Sequence, residues 1–64
     1  MVLNVPAIKK ILAAKEMTQN DLARLSSMAY QTVSSIMARG SCSIRSAGKL
    51  ANALGVGVEE ICIM

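Results

Sequence analysis

Phenylalanine, tryptophan and histidine are absent from this chain, and a single tyrosine is its whole aromatic content. Without histidine, and with Cys42 and Cys62 distant in sequence, no zinc site can be closed. Two cysteines among 64 residues are also too few for a disulfide-dense miniprotein. Long apolar runs are missing as well. A membrane-spanning helix needs roughly 18 or more consecutive apolar residues. The longest charge-free run, Leu25 to Ala38, is interrupted by Ser26, Ser27, Gln31, Thr32, Ser34 and Ser35. Met1-Val2-Leu3 leads to Asn4 and Pro6 rather than to a basic region and a long apolar stretch. No signal peptide is therefore expected, and the chain reads as cytoplasmic with reduced thiols.

What is present is apolar. Hydrophobic residues make up 53% of the chain, which excludes intrinsic disorder. A domain this short buries only about 60% of the surface its unfolded chain exposes, so it has no room for a deep catalytic cleft. Nine of the apolar residues are Ala and five are Met, which fill close helix contacts and irregular gaps. The remaining Leu, Ile and Val supply a core and a surplus. Much of that surplus lies at the two ends, Met1-Val2-Leu3 and Ile61-Cys62-Ile63-Met64. Apolar ends cover one another or a partner. A homodimer using Ile61, Ile63 and Met64 is one expectation, and back-packing of the tail on its own core is the other.

The chain reads as one domain over residues 1–64, all-α, with five short helices. Pro6 suits a first helical turn, with Asn4 or Val5 as its cap, and Val5, Ile8, Ile11 and Leu12 share a face. Thr18-Gln19-Asn20-Asp21 has the form of a capping box, with Asp in place of the usual Glu. It opens a second helix that turns Leu22, Ala23 and Leu25 inward. Ser26 to Ala29 break the pattern, and Tyr30 to Ala38 resume it with Val33, Ile36 and Met37 on one side. Arg39 to Ser43 read as a loop. Ala47, Leu50, Ala51 and Leu54 follow at i, i+3, i+4, i+7 spacing, and Gly55 is the stop signal. A last helix is expected from Val58 to Cys62.

Two short helices separated by about four residues form a helix-turn-helix if their angle is tight. Small Ala23 permits a close approach, Met28 is an apolar plug in the turn, and Val33 and Ile36 face Leu22 and Ala23. The outer face of the second helix is then Tyr30, Gln31, Ser34 and Ser35, all able to hydrogen-bond and none charged. The string Gln19-x-x-Leu22-Ala23-x-x-x-Ser27-Met28-Ala29-x-x-x-Val33-Ser34-x-Ile36-x-x-x-Gly40 resembles the Cro/C1-type (XRE-like) helix-turn-helix pattern. Lys49 to Ile61 resemble that family's closing segment, so the likeness spans roughly residues 5 to 61. It departs from the family at Ser27, where the turn glycine is usual. It departs again at Ala29, where a capping Ser or Thr is usual, and at Met37-Ala38, which lack a frequent Glu.

The resemblance implies a compact five-helix, lambda-repressor-like domain. Its implied function is a sequence-specific double-stranded DNA-binding regulator, a repressor of bacterial, phage or mobile-element origin, working as a homodimer. Tyr30, Gln31, Ser34 and Ser35 would face base edges in the major groove, where Gln can pair with adenine and Ser with several bases. Gln19, Thr32, Arg39, Ser41 and Arg45 would meet phosphates. Charge placement points the same way. All four acids lie at Glu16, Asp21, Glu59 and Glu60, leaving Arg24, Arg39, Arg45 and Lys49 in an acid-free stretch between Leu22 and Val58. Such a surface gains on DNA by counterion release.

A plainer reading stands beside each of these. The basic residues could be solvated surface charges and Tyr30 a surface tyrosine. Cys42 and Cys62 read as plain thiols, with a redox switch at Cys42 as the alternative. The whole scaffold could instead be a protein-interaction module, such as an antitoxin or anti-repressor. No enzyme activity, cofactor, metal or small-molecule ligand is expected. Adjacent Glu59 and Glu60 suit the first turn of a helix rather than acid–base catalysis.

Overall fold

A computed structural model describes residues 1–63. Its element order is α1 (Val5–Ala14), α2 (Gln19–Leu25), α3 (Tyr30–Arg39), α4 (Ile44–Leu54) and α5 (Val58–Ile61). No helix among the described residues is long and apolar enough to cross a membrane.

The helix starts follow from local chemistry. Asn4 caps α1, its side-chain oxygen accepting from the Ala7 N–H at 3.2 Å. Thr18 and Asp21 form the reciprocal box at α2. The Asp21 N–H donates to Thr18 Oγ1 at 3.1 Å, and the Thr18 N–H to Asp21 Oδ2 at 2.9 Å. Ser43 caps α4 by accepting from the Ser46 N–H at 3.2 Å. Gly57 precedes α5, and its N–H donates to Glu60 Oε2 at 3.0 Å. The starts of α3 and α5 have no side-chain cap on their first-turn amides. At α3 the cap position is occupied by Ala29.

Three helices end in the same motif. A residue at or just past the C-cap takes positive φ, and the N–H of the next residue donates to the carbonyl five residues back. In α1 these are Glu16 (φ 54) and Met17, whose N–H reaches the Leu12 carbonyl at 2.9 Å. In α2 they are Ser27 (φ 59) and Met28, reaching Ala23 at 3.0 Å. In α4 they are Gly55 (φ 72) and Val56, reaching Ala51 at 3.0 Å. Each closing residue, Met17, Met28 and Val56, is partly buried against the core. Only the third case uses glycine, the residue that takes this conformation without a Cβ penalty.

The core joins every helix: Ile8 and Leu12, Leu22 and Ala23, Val33, Ile36 and Met37, Ala47, Leu50, Ala51 and Leu54, and Ile61. Two expectations are corrected here. Leu25 is 61% exposed, because α2 ends with it on the outer side. Ile61, read as a dimer residue, is fully buried in the chain's own core and offers no surface to a partner. The third α-helix also runs through Arg39, one residue into the expected loop, and stops at Gly40 (φ 73).

One element has no helical signature. Met1 to Asn4 run extended between the α3–α4 connection and the chain's end. The Leu3 N–H donates to the Gly40 carbonyl at 2.9 Å, and the Cys42 N–H to the Met1 carbonyl at 3.0 Å. On the other side the Asn4 N–H donates to Ile61 and the Ile63 N–H to Val2, both at 2.8 Å. Side chains alternate, with Leu3 in the core and Val2 44% exposed.

Replacing Ser27 by Gly removes a left-handed penalty of about 1–2 kcal/mol per non-Gly residue. It also restores unfolded-chain entropy worth about 0.4–1 kcal/mol. The net gain, under about 1.5 kcal/mol, should raise Tm by a few degrees in a domain of this size. A calorimetric Tm that falls in Ser27→Gly would show that the turn is not strained at this residue.

Candidate nucleic-acid interface

An α-helix turns about 100° per residue, and this fixes what α3 shows outward. Val33, Ile36 and Met37 are buried and define its inner side. Gln31, Ser35 and Ala38 lie opposite them, at i, i+4 and i+7, and all three are exposed. Tyr30 (49% exposed) and half-buried Ser34 flank this ridge on one side, and exposed Thr32 and Arg39 flank it on the other. The four residues expected to read bases therefore share one outward side. Ala38 was not among them. Its signal is its spacing from Gln31 and Ser35, and its methyl is the kind of group that meets a thymine methyl.

The N-terminus of α3 adds to this side. With no side chain accepting at Ala29, the amides of the first turn and the positive end of the helix dipole are left for another acceptor. The buried side of α3 shares its core with α2, which packs on it. Gln19, half-buried, is the first residue of α2 and follows the Thr18 cap.

Arg39 and Arg45 bracket the α3–α4 connection, Arg39 in the last turn of α3 and Arg45 in the first turn of α4. Both are exposed, and neither is ion-paired among the described residues. Between them Ser41 is half-buried and faces Val2 across the antiparallel pairing. The Ser43 hydroxyl is turned to α4 as its cap and donates to the Ser46 hydroxyl at 3.2 Å. Arg24 is held by Asp21 on α2, the ion pair described for this chain.

Cys42 and Cys62 are free and half-buried. Burial pushes the Cys42 thiol up, and the nearby Cys62 adds to this. The opposing pull of the Met1 ammonium and Arg39 is smaller. A raised thiol has less thiolate at neutral pH and reacts slowly, which favours the plain-thiol reading over a redox switch. No group of three or more potential metal ligands occurs among the described residues.

At the chain-end face Ile63 is 64% exposed beside exposed Met1 and Val2. A shallow depression there is lined by Met1, Val58, Glu59, Cys62 and Ile63. Of the three expected dimer residues, Ile63 alone is at this surface; Ile61 is in the core, and Met64 lies outside the described residues.

Residues 7–64 match the family model for the Cro/C1-type HTH DNA-binding domain. No curated protein and no solved structure matches the chain.

The Asp21 carboxyl, which fixes the start of α2 beside Gln19, is held below its ordinary value of 3.8. The causes are the Thr18 amide first, then Arg24 and the Thr18 hydroxyl. A lowered folded-state value stabilises the fold above the unfolded value, and this contribution is lost as pH falls through the folded one. Thermal midpoints of the parent and Asp21→Asn should therefore differ at neutral pH and converge as pH drops below 3.8. A gap that stays constant down to strongly acidic pH would rule out the carboxylate as its source.

Proposed function

Because the chain belongs to the Cro/C1-type helix-turn-helix family of DNA-binding domains, we propose that it is a sequence-specific regulator of transcription on double-stranded DNA. In this reading it is a repressor of bacterial, phage or mobile-element origin that occupies an operator and blocks polymerase. The observation that carries the reading is the outward side of α3. It is a row of uncharged hydrogen-bonding side chains ending in Arg39, on a helix whose first amides have no side-chain acceptor.

The third helix enters the major groove N-terminus first. Gln31 pairs with an adenine edge, Ser34 and Ser35 reach neighbouring bases, and Tyr30 lies at the groove's entrance. Thr32 and Gln19 meet phosphate on either side, while Arg39, Ser41 and Arg45 hold the backbone that passes the α3–α4 connection. No Arg or Lys is among the base readers, so discrimination by one domain is modest. Affinity rests on phosphates and on a second copy.

The need for that copy follows from size. The domain measures 26 × 22 × 18 Å, and adjacent half-sites lie about 34 Å apart. One domain therefore reads one half-site. The exposed apolar group Met1, Val2 and Ile63 is the surface offered for self-association. The same group supports a second reading, docking of a different protein as in an antitoxin or anti-repressor.

A binding selection over random duplexes, followed by titrations at two salt concentrations, separates these readings. Gln31→Ala should change which sequences are preferred, losing about 1–3 kcal/mol at its base pair. Arg45→Ala should weaken all duplexes alike and flatten the salt dependence by about one unit of slope. If both variants weaken every sequence equally, the base-reading assignment fails. If no duplex binds and a stoichiometric protein partner is recovered, the interaction module is the better reading.

Sedimentation tests the dimer. The parent chain should show a concentration-dependent dimer, and Ile63→Asp should be monomeric with unchanged helicity. A parent of monomer mass at all concentrations would exclude self-association through this face.

A further inference from the structure

The connection between α3 and α4 carries or adjoins Arg39, Ser41 and Arg45, yet it has little of its own to hold it. Gly40 sits at positive φ, and Ser43 is committed to capping α4. Its backbone is held from outside. The Gly40 carbonyl accepts from Leu3, and the Cys42 N–H donates to Met1. The same short segment is held on its opposite side by Ile61 and Ile63 and anchored beneath by buried Leu3. It thus lies between the DNA-facing connection and the face that carries Ile63.

We propose that Met1–Asn4 is a positioning strand. Its pairing with Gly40–Cys42 sets where Arg39, Ser41 and Arg45 meet phosphate, and its pairing with Ile61–Ile63 makes that placement depend on the chain-end face. The strand touches no base and supplies no sequence preference. It converts the position of one surface into the phosphate grip of another through two rows of hydrogen bonds that share one backbone. This rests on the DNA-binding reading above.

Two backbone esters test it in the full-length synthetic chain, each deleting one N–H and leaving every side chain in place. An ester at Cys42 removes its bond to the Met1 carbonyl. An ester at Ile63 removes its bond to the Val2 carbonyl, on the far side of the strand. For each we measure anisotropy titrations on selected and scrambled duplexes at two salt concentrations, and for the Ile63 ester, which keeps these amides, exchange at Leu3, Cys42 and, as a core reference, Leu50.

The Cys42 ester should weaken both duplexes by about two- to tenfold, the range expected for one net hydrogen bond. The ratio between duplexes should not change, and the salt slope should fall by about one contact. The Ile63 ester should act in the same direction and quicken exchange at Leu3 and Cys42 but not at Leu50. Unchanged affinity in both esters overturns the proposal, as does exchange that quickens equally at all three amides, which is general loosening. A changed ratio between selected and scrambled duplexes overturns it too. Should the Cys42 ester fail to fold, the Ile63 ester decides alone. Failure of the DNA-binding reading shows separately, in an unmodified chain that binds no duplex, and the positioning role then falls with it.

Discussion

Leu22 and Ala23 of α2 share one core with Val33 and Ile36 of α3, and the short turn between the helices makes this packing possible. The carbonyl of Ala23 is at its centre. It accepts from the Met28 N–H at 3.0 Å and from the buried Ser26 hydroxyl at 3.1 Å. Those two bonds satisfy polar groups that burial would otherwise leave unpaired, and they force Ser27 into a left-handed conformation. Met28 then returns the chain to the core and aims α3. The direction of α3, and with it the DNA-facing row, depends on a turn that tolerates a serine where glycine would be unstrained.

Once α3 is aimed, its chemistry divides by burial. The inner side is spent on Val33, Ile36 and Met37, so everything with hydrogen-bonding capacity on this helix is outward or at its flank. The absence of a side-chain cap at Ala29 belongs to the same arrangement. A capping hydroxyl at that position would occupy first-turn amides that now face outward. Two of the four acids are engaged away from this surface. Asp21 is bound to Thr18 and Arg24, and Glu60 accepts from Gly57 while Glu59 shares the first turn of α5.

Much of this is legible in the chain. Asn4, Thr18 with Asp21, and Ser43 are side chains that bond to backbone within three residues, and such contacts are written in local sequence. The same holds for the inward faces of α1, α3 and α4 and for the outward set Tyr30, Gln31, Ser34 and Ser35. Three features were not legible in this way. Leu25 was expected inside, but it is the last residue of α2, and a helix end need not keep to the face of its middle. Ala38 lies on the outward ridge of α3 but has no polar group to draw notice. Ile61 was assigned to a partner because apolar chain ends look unpaired, whereas the core of so small a domain needs residues from its last helix.

The sequence by itself determined which segments are helices, their bounds to within a residue, most of the residues they turn inward, and where the acid-free basic stretch lies. Each of these depends on contacts within one or two helical turns. Only the tertiary structure decided how far the first residues and the last ones are joined. Met1 to Asn4 carry no periodic signal and take their conformation from the Gly40–Cys42 and Ile61–Ile63 backbones. Backbone pairing between segments some 40 and 60 residues apart uses amides and carbonyls that every residue type carries. No side-chain pattern announces it, and it exists only when the core has brought those three segments side by side.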